Sequence, residues 1–175
     1  MDVLKKVSII GGPGTGKSTL ANNIGKVLDL PIYHLDGICH FANWEPRDKK
    51  ERDEIILSKI NEPKWVIEGT YTSTLPNRIE NSDLVIFLQF STISRIKGVV
   101  SRYFKLRGKE RPEIPGCKEK LEFKFVKFAY NWDKTTGKKV KEILNKSNKN
   151  NILILKSRKA TNDWFMKQFN KEIEV

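Results

Sequence analysis

Nine consecutive residues, Gly11-Gly12-Pro13-Gly14-Thr15-Gly16-Lys17-Ser18-Thr19, carry the densest chemistry in the chain. They fit the spacing G-x-x-x-x-G-K-[ST], with Gly11, Gly16, Lys17 and Ser18 in the fixed positions. Glycines let successive backbone N–H groups turn inward around a phosphate without Cβ clashes. A helix opening near Lys17 aims its positive end at the same anion. Lys17 would reach the β- and γ-phosphates, and the Ser18 hydroxyl would ligate Mg²⁺. The segment predicts binding of ATP or another nucleoside triphosphate. A G-x-G-x-x-G dinucleotide fingerprint fails, because Gly12-x-Gly14 is followed by Lys17 where glycine is required.

Two carboxylates and a set of arginines complete the chemistry. Glu68 ends the apolar run Trp65-Val66-Ile67, where a strand-end carboxylate faces the ligand crevice and can help hold Mg²⁺. Asp36 follows another such run, so it can accept a hydroxyl proton or orient an acceptor; the alternative is a turn aspartate in Leu35-Asp36-Gly37. Phosphoryl transfer needs cations around the developing charge. Arg95, Arg102, Arg107 and Arg111 are the candidates, and Arg102 and Arg107 are the ones selected. Arg95 and Arg102, seven apart, are expected on one helix face. His34, Cys39 and His40 lack metal-ligand spacing and read as pocket wall or core. Trp44 could stack on an acceptor base, although packing under a loop is the commoner role. No Asn-Lys-x-Asp guanine signature occurs, which weighs against a GTPase.

These groups need a scaffold, and the hydrophobic pattern supplies one. Five apolar runs of strand length stand at 3–10, 30–35, 64–69, 84–90 and 151–156. Helical patterns lie between them at 17–28, 46–60, 92–106, 119–145 and 162–172, the fourth interrupted near Gly137. Alternation of this kind predicts an α/β fold: a five-stranded parallel sheet flanked by helices. The gap of some 60 residues between the last two strands is too long for a simple crossover. It reads as a basic helical insert or lid, with Arg107–Cys117 as a loop. Leu121, Phe125, Phe128 and Trp132 recur at helix spacing, and with the interleaved lysines they read better as a core face than as a nucleic-acid stacking platform.

Composition bounds the remainder. The 175 residues suit one domain, and 38% hydrophobic residues exclude disordered and collagen-like chains. The net charge is +12, and residues 92–149 hold 17 Lys and Arg against 6 Asp and Glu. So localized an excess favours polyanions, nucleic acid among them. Two cysteines make no disulfide framework, no apolar run is long enough for a membrane span, and the first residues lack a secretory leader's pattern. A cytoplasmic protein is expected.

The segments GGPGTGKSTLA, PIYHLDG, WVIEGTY and DLVIFLQF together resemble the small phosphate-loop kinases of the adenylate and shikimate kinase class. More closely, LPIYHLD, WVIEGTYTSTLPNRI, LRGKERPEIPGCKEKLEFKFVKFAYNW and ILILKSRK resemble the bacterial DNA-topology modulation proteins, over nearly the whole chain. The resemblance implies a single kinase-like domain over 1–175 with its lid near 92–149, using ATP and Mg²⁺. It also implies that Arg158 lies where related kinases hold adenine. Adenylate kinases follow the third strand with D-G-F-P-R; here Glu68-Gly69-Thr70-Tyr71-Thr72 keeps the carboxylate and glycine but lacks the arginine, and Arg78 could substitute only from a different place. Three functions follow as expectations. The expected one, because its site residues are specified by position, is a kinase of a small-molecule acceptor; the alternatives are a nucleic-acid-binding ATPase affecting DNA topology and a kinase of nucleic-acid ends.

Overall fold

Apolar runs buried on both faces need a helix layer on each side, and the chain supplies both. The computed structural model describes residues 4–147 and 150–174. Val3, read above as the start of the first strand, and Lys149, at the end of the basic stretch, lie outside the described residues. β1 (Lys6–Gly11) leads into α1 (Lys17–Leu28), then β2 (Ile32–His34), α2 (Leu35–Cys39), α3 (Lys49–Ile60) and β3 (Trp65–Glu68). There follow α4 (Leu75–Asn81), β4 (Leu84–Leu88), α5 (Thr92–Leu106) and a hairpin of β5 (Glu110–Arg111) and β6 (Ile114–Lys118). α6 (Phe123–Asn131), α7 (Thr136–Lys146), β7 (Ile152–Leu155) and α8 (Arg158–Phe169) complete the order.

The main sheet runs β2-β3-β1-β4-β7, every pair parallel. The expected α/β architecture is the one observed. Alternate residues of β1 feed opposite layers. Val7 and Ile9 pack with Leu20, Ala21 and Ile24 of α1 and Phe165 of α8. Ile10 faces Leu75 and Ile79 of α4, Val140 and Leu144 of α7, and Trp132. A third cluster joins Leu35, Cys39, Ile56, Ile60, Trp65 and Ile67, fixing α2 and α3 against β3. Each fully buried Val, Leu, Ile or Phe among them contributes roughly 1.5–3 kcal/mol.

Four local expectations are corrected. α3 starts at Lys49, not Pro46, because the Asp48 carboxylate caps it by accepting from the Lys50 and Glu51 N–H groups. Arg107–Cys117 is largely a β-hairpin and not a loop. The long helix after it begins at Phe123 and breaks at Trp132–Lys134, just ahead of Gly137. Of its anticipated core face only Trp132 is buried; Phe125 is half-buried, while Leu121 and Phe128 are exposed.

Candidate active site

The turn from β1 into α1 is shaped by what packs behind it. Gly14 and Gly16 adopt φ of 70° and 87°, the left-handed region glycine enters without strain. α5 presses on the turn backbone to backbone: a Cβ on Gly98 would lie 2.0 Å from the Gly14 carbonyl oxygen. Gly16 caps α1 without a side-chain hydrogen bond, so the first-turn N–H groups stay directed at the loop. Inside the loop, Thr15 Oγ1 and Lys17 Nζ both donate to the Gly12 carbonyl, at 2.9 and 3.1 Å. Pro13 is half-buried, and Thr19 sits on the first turn of α1. Arg158 donates to the Gly14 carbonyl at 2.7 Å and to Ser94 Oγ at 3.2 Å, bracing the loop from α8.

At the end of β3, Glu68 is buried and accepts two hydrogen bonds on one oxygen. Ser18 Oγ donates to Oε1 at 3.0 Å and His34 Nδ1 donates to it at 2.9 Å. The second carboxylate oxygen has no protein partner among the described residues. A hydroxyl and a partly free carboxylate beside a phosphate cradle form a hard-oxygen donor set, which fits Mg²⁺ completed by phosphates and water. No group of three or more His, Cys, Asp and Glu able to hold a metal occurs among the described residues. His34 is therefore more than pocket wall: it orients the carboxylate, as outer partners of metal ligands do. The position two residues before Asp36, at a strand end, was the available signal.

Asp36 lies in the first turn of α2, not in a turn between strands. Its Oδ1 accepts from the Tyr71 hydroxyl at 3.0 Å, and its Oδ2 is 3.9 Å from Arg111. Burial and the adjacent Asp36 charge push the Tyr71 hydroxyl well above the ordinary tyrosine range, so it stays a donor. Arg102 Nε donates to Glu119 Oε1 at 3.1 Å, while Arg111 lies 3.4 Å from the other oxygen of Glu119. Arg111 Nε is buried without a hydrogen-bond partner. Burial lowers the pKa of Lys17; Glu68 and Asp36 oppose that shift, and Arg102 and Arg111 reinforce it. Five charged groups from five separate elements thus share one crevice.

The remaining candidates separate by position. Arg107 is exposed at the end of α5 and makes no side-chain ion pair or hydrogen bond among the described residues; Arg111, ranked behind it in the sequence, occupies the crevice instead. Arg95 is fully buried, donating to the carbonyls of Phe90 and Ala129 and to Asp133 across from Trp132. It ties α5 to α6 behind the phosphate loop, and it does not share the surroundings of Arg102. Arg78 is spent on the carbonyls of Gly69 and Tyr71, so it holds the β3–α4 turn and is no substitute acceptor arginine.

The hairpin is latched over α2. Trp44 Nε1 donates to the Lys118 carbonyl at 2.9 Å, and Trp44 N–H to Cys117 Sγ at 3.2 Å. The ring lies against Arg111. These contacts hold Trp44 at φ 65°, a backbone conformation costly for so bulky a residue. His40 faces the same tryptophan and donates from Nδ1 to the Asp36 carbonyl. Cys39 is buried, its thiol pushed up to about 11 by that burial.

Comparison with known proteins sets this geometry in context. No family model matches the chain. It is 24% identical over 106 residues to the shikimate kinase of Rhodococcus jostii (strain RHA1), a match spanning 53% of this chain and 63% of that relative's length. The shikimate kinase from Acinetobacter baumannii in complex with shikimate aligns over 95% of this chain and 92% of its own, at 16% identity and TM-score 0.61. A gluconokinase from Sinorhizobium meliloti 1021 aligns over 97% and 96%, at 10% identity and TM-score 0.56. The chain therefore has the phosphate-loop α/β fold of the shikimate and gluconokinase type.

Proposed function

We propose that this protein is an ATP-dependent phosphotransferase that moves the γ-phosphoryl group of ATP to a hydroxyl of a small acceptor. The carrying observation is the convergence of Lys17, Glu68, Asp36, Arg102 and Arg111 on one crevice at the mouth of the phosphate loop. The loop, Gly11 to Thr19, cradles the phosphates, and Lys17 follows the charge that develops between the β- and γ-phosphates. Ser18 and Glu68 hold Mg²⁺, which when bound neutralises phosphate charge. Asp36 receives the proton of the attacking hydroxyl as its oxygen bonds to phosphorus and the bond to the ADP oxygen breaks. Arg102 and Arg111 stabilise the transferring group, with Arg107 joining them if the β5–β6 hairpin closes as a lid. α5 and α7, packed on the phosphate loop and in the core, stay in place, so the lid is shorter than the 92–149 insert expected from the sequence. Arg158, already bound to the loop, lies beside the adenine. In this reading residues 1–175 form one kinase domain working in the cytoplasm, where ATP is supplied.

The test is ATP consumption, with product identification, against a panel of nucleosides, nucleoside monophosphates, sugars, hydroxy acids and short DNA 5′ ends, with Lys17→Ala as blank. A small acceptor should raise turnover above the acceptor-free rate. Asp36→Asn should cut that stimulated rate by about 10²–10⁴ while leaving nucleotide binding intact. Turnover untouched by every small acceptor, or by Asp36→Asn, would sink the assignment.

One observation favours a second reading, the nucleic-acid-binding ATPase that the resemblance to DNA-topology modulation proteins implies. Phe104, Phe123, Phe128 and Tyr130 stand exposed within the basic segment. Aromatic faces interleaved with lysines suit stacked bases and backbone phosphates. Stimulation of turnover by DNA alone, lost steeply as salt rises, is its signature.

A further inference from the structure

Arg102 stands in α5 and Arg111 in β5, and two guanidiniums brought to one crevice repel each other. Burial lowers the pKa of Arg102, and the charge of Arg111 lowers it further. One acid meets both: Glu119, whose side chain is 1% exposed. Its Oε1 accepts from Arg102 Nε at 3.1 Å, and its Oε2 lies 3.4 Å from Arg111 Nε. Those last two atoms are each buried without a hydrogen-bond partner, so they face one another across a bond not yet made. Asp36 and Glu113 approach Arg111 only to 3.9 and 4.0 Å, and neither pairs with Arg102 among the described residues. The backbone of Glu119 sits at the base of the β5–β6 hairpin: its N–H donates to the Lys109 carbonyl at 3.0 Å, and it bridges Arg107 at the end of α5.

We propose that Glu119 is a positioning residue for phosphoryl transfer, a carboxylate whose two oxygens hold Arg102 and Arg111 together on the transferring group. The inference rests on the kinase reading above. Glu119 acts through the two arginines and not on the phosphate itself. Arg102 is fixed with α5, which presses on the phosphate loop, whereas Arg111 travels with the hairpin. Closing the hairpin completes the Arg111–Glu119 hydrogen bond, a charge-assisted bond between two groups already desolvated. An interaction made only in the closed state favours the transition state over the resting enzyme. The charge is required as well as the shape: a carboxamide has one acceptor oxygen and turns a donor toward whichever arginine it does not serve.

Acceptor-free ATP turnover, read at saturating ATP and Mg²⁺, tests this without an identified acceptor. Glu119→Gln should lower kcat about 10²-fold while the Kd for ADP and Mg²⁺ stays unchanged. Arg111→Gln should lower it about as far. The double variant should be no slower than Arg111→Gln alone, since the remaining arginine then has the carboxamide oxygen to itself. Glu122→Gln removes the same charge from the exposed residue ahead of α6 and should leave turnover unchanged. Losses that multiply in the double variant, or a Glu119→Gln protein as fast as the parent, would overturn the proposal. A second measurement uses the parent alone, so it stands even if a variant fails to fold. Arginine Nε–Hε NMR signals are followed as ADP, Mg²⁺ and aluminium fluoride, a mimic of the transferring group, are added. The Arg111 signal should move downfield and exchange more slowly with water; a signal that stays in place while the nucleotide saturates would equally overturn the proposal. ADP that fails to bind, with no turnover in the parent, would instead refute the kinase reading on which this one rests.

Discussion

Lys17 is held where burial opposes its charge; Glu68 and Asp36 outweigh the opposing Arg102 and Arg111 but do not offset the burial itself. Its folded-state pKa lies below its unfolded value, so the folded protein binds that proton less readily than the unfolded chain does. The resulting destabilisation is fully present at neutral pH and is relieved as pH rises through the lowered pKa toward the ordinary lysine range. Lys17→Met should therefore raise the melting temperature of the nucleotide-free protein, by roughly 2–4 °C per kcal/mol relieved. The same variant should lose the further rise that ATP and Mg²⁺ give the parent. Thermal scans with and without nucleotide decide it; a Lys17→Met protein that melts lower than the parent would refute the electrostatic account. At this scale the phosphate loop was legible because its spacing is fixed by local backbone chemistry. The arginines were not: Arg95 and Arg102 share a helix spacing, yet one is sealed against Asp133 and the other opens to the crevice.

Element by element, the pressure of α5 on the phosphate loop is the most consequential packing in the molecule. Gly98 permits it, since a Cβ there meets the oxygen and the carbon of the Gly14 carbonyl, both rigid backbone. Gly98→Ala must push α5 and the loop apart. It should destabilise the protein by about 1–3 kcal/mol and weaken nucleotide binding, read from urea midpoints and calorimetric affinities. Unchanged values for both would mean that the loop does not depend on α5. Long elements such as α1 and α5 could be placed in the sequence to the residue, because their apolar period runs over three turns or more. The five-residue α2, the seven-residue α4 and the two-residue β5 have no such period. They form where tertiary contacts hold them, as with the Trp44 latch on β6.

Taken whole, the molecule carries +12, concentrated in residues 92–149. Mutual repulsion there opposes folding, and salt screens it: the screening length falls from about 10 Å at 0.1 M to about 3 Å at 1 M. Buried ion pairs such as Arg102–Glu119 are screened far less. The melting temperature in the absence of nucleotide should therefore climb with sodium chloride, an electrolyte whose ions do not mimic phosphate. A fall would show that the ion pairs outweigh the repulsion. The parallel sheet, its strands and the phosphate loop were determined by the sequence itself, because burial on two faces and close backbone turns leave periodic, local marks. Tertiary structure alone decided that His34 supports Glu68, that Arg111 and not Arg107 enters the crevice, and that aromatic residues of α6 face solvent. Those outcomes depend on which segments meet in space, and a charge or ring on a helix face carries no local record of the partner that will claim it.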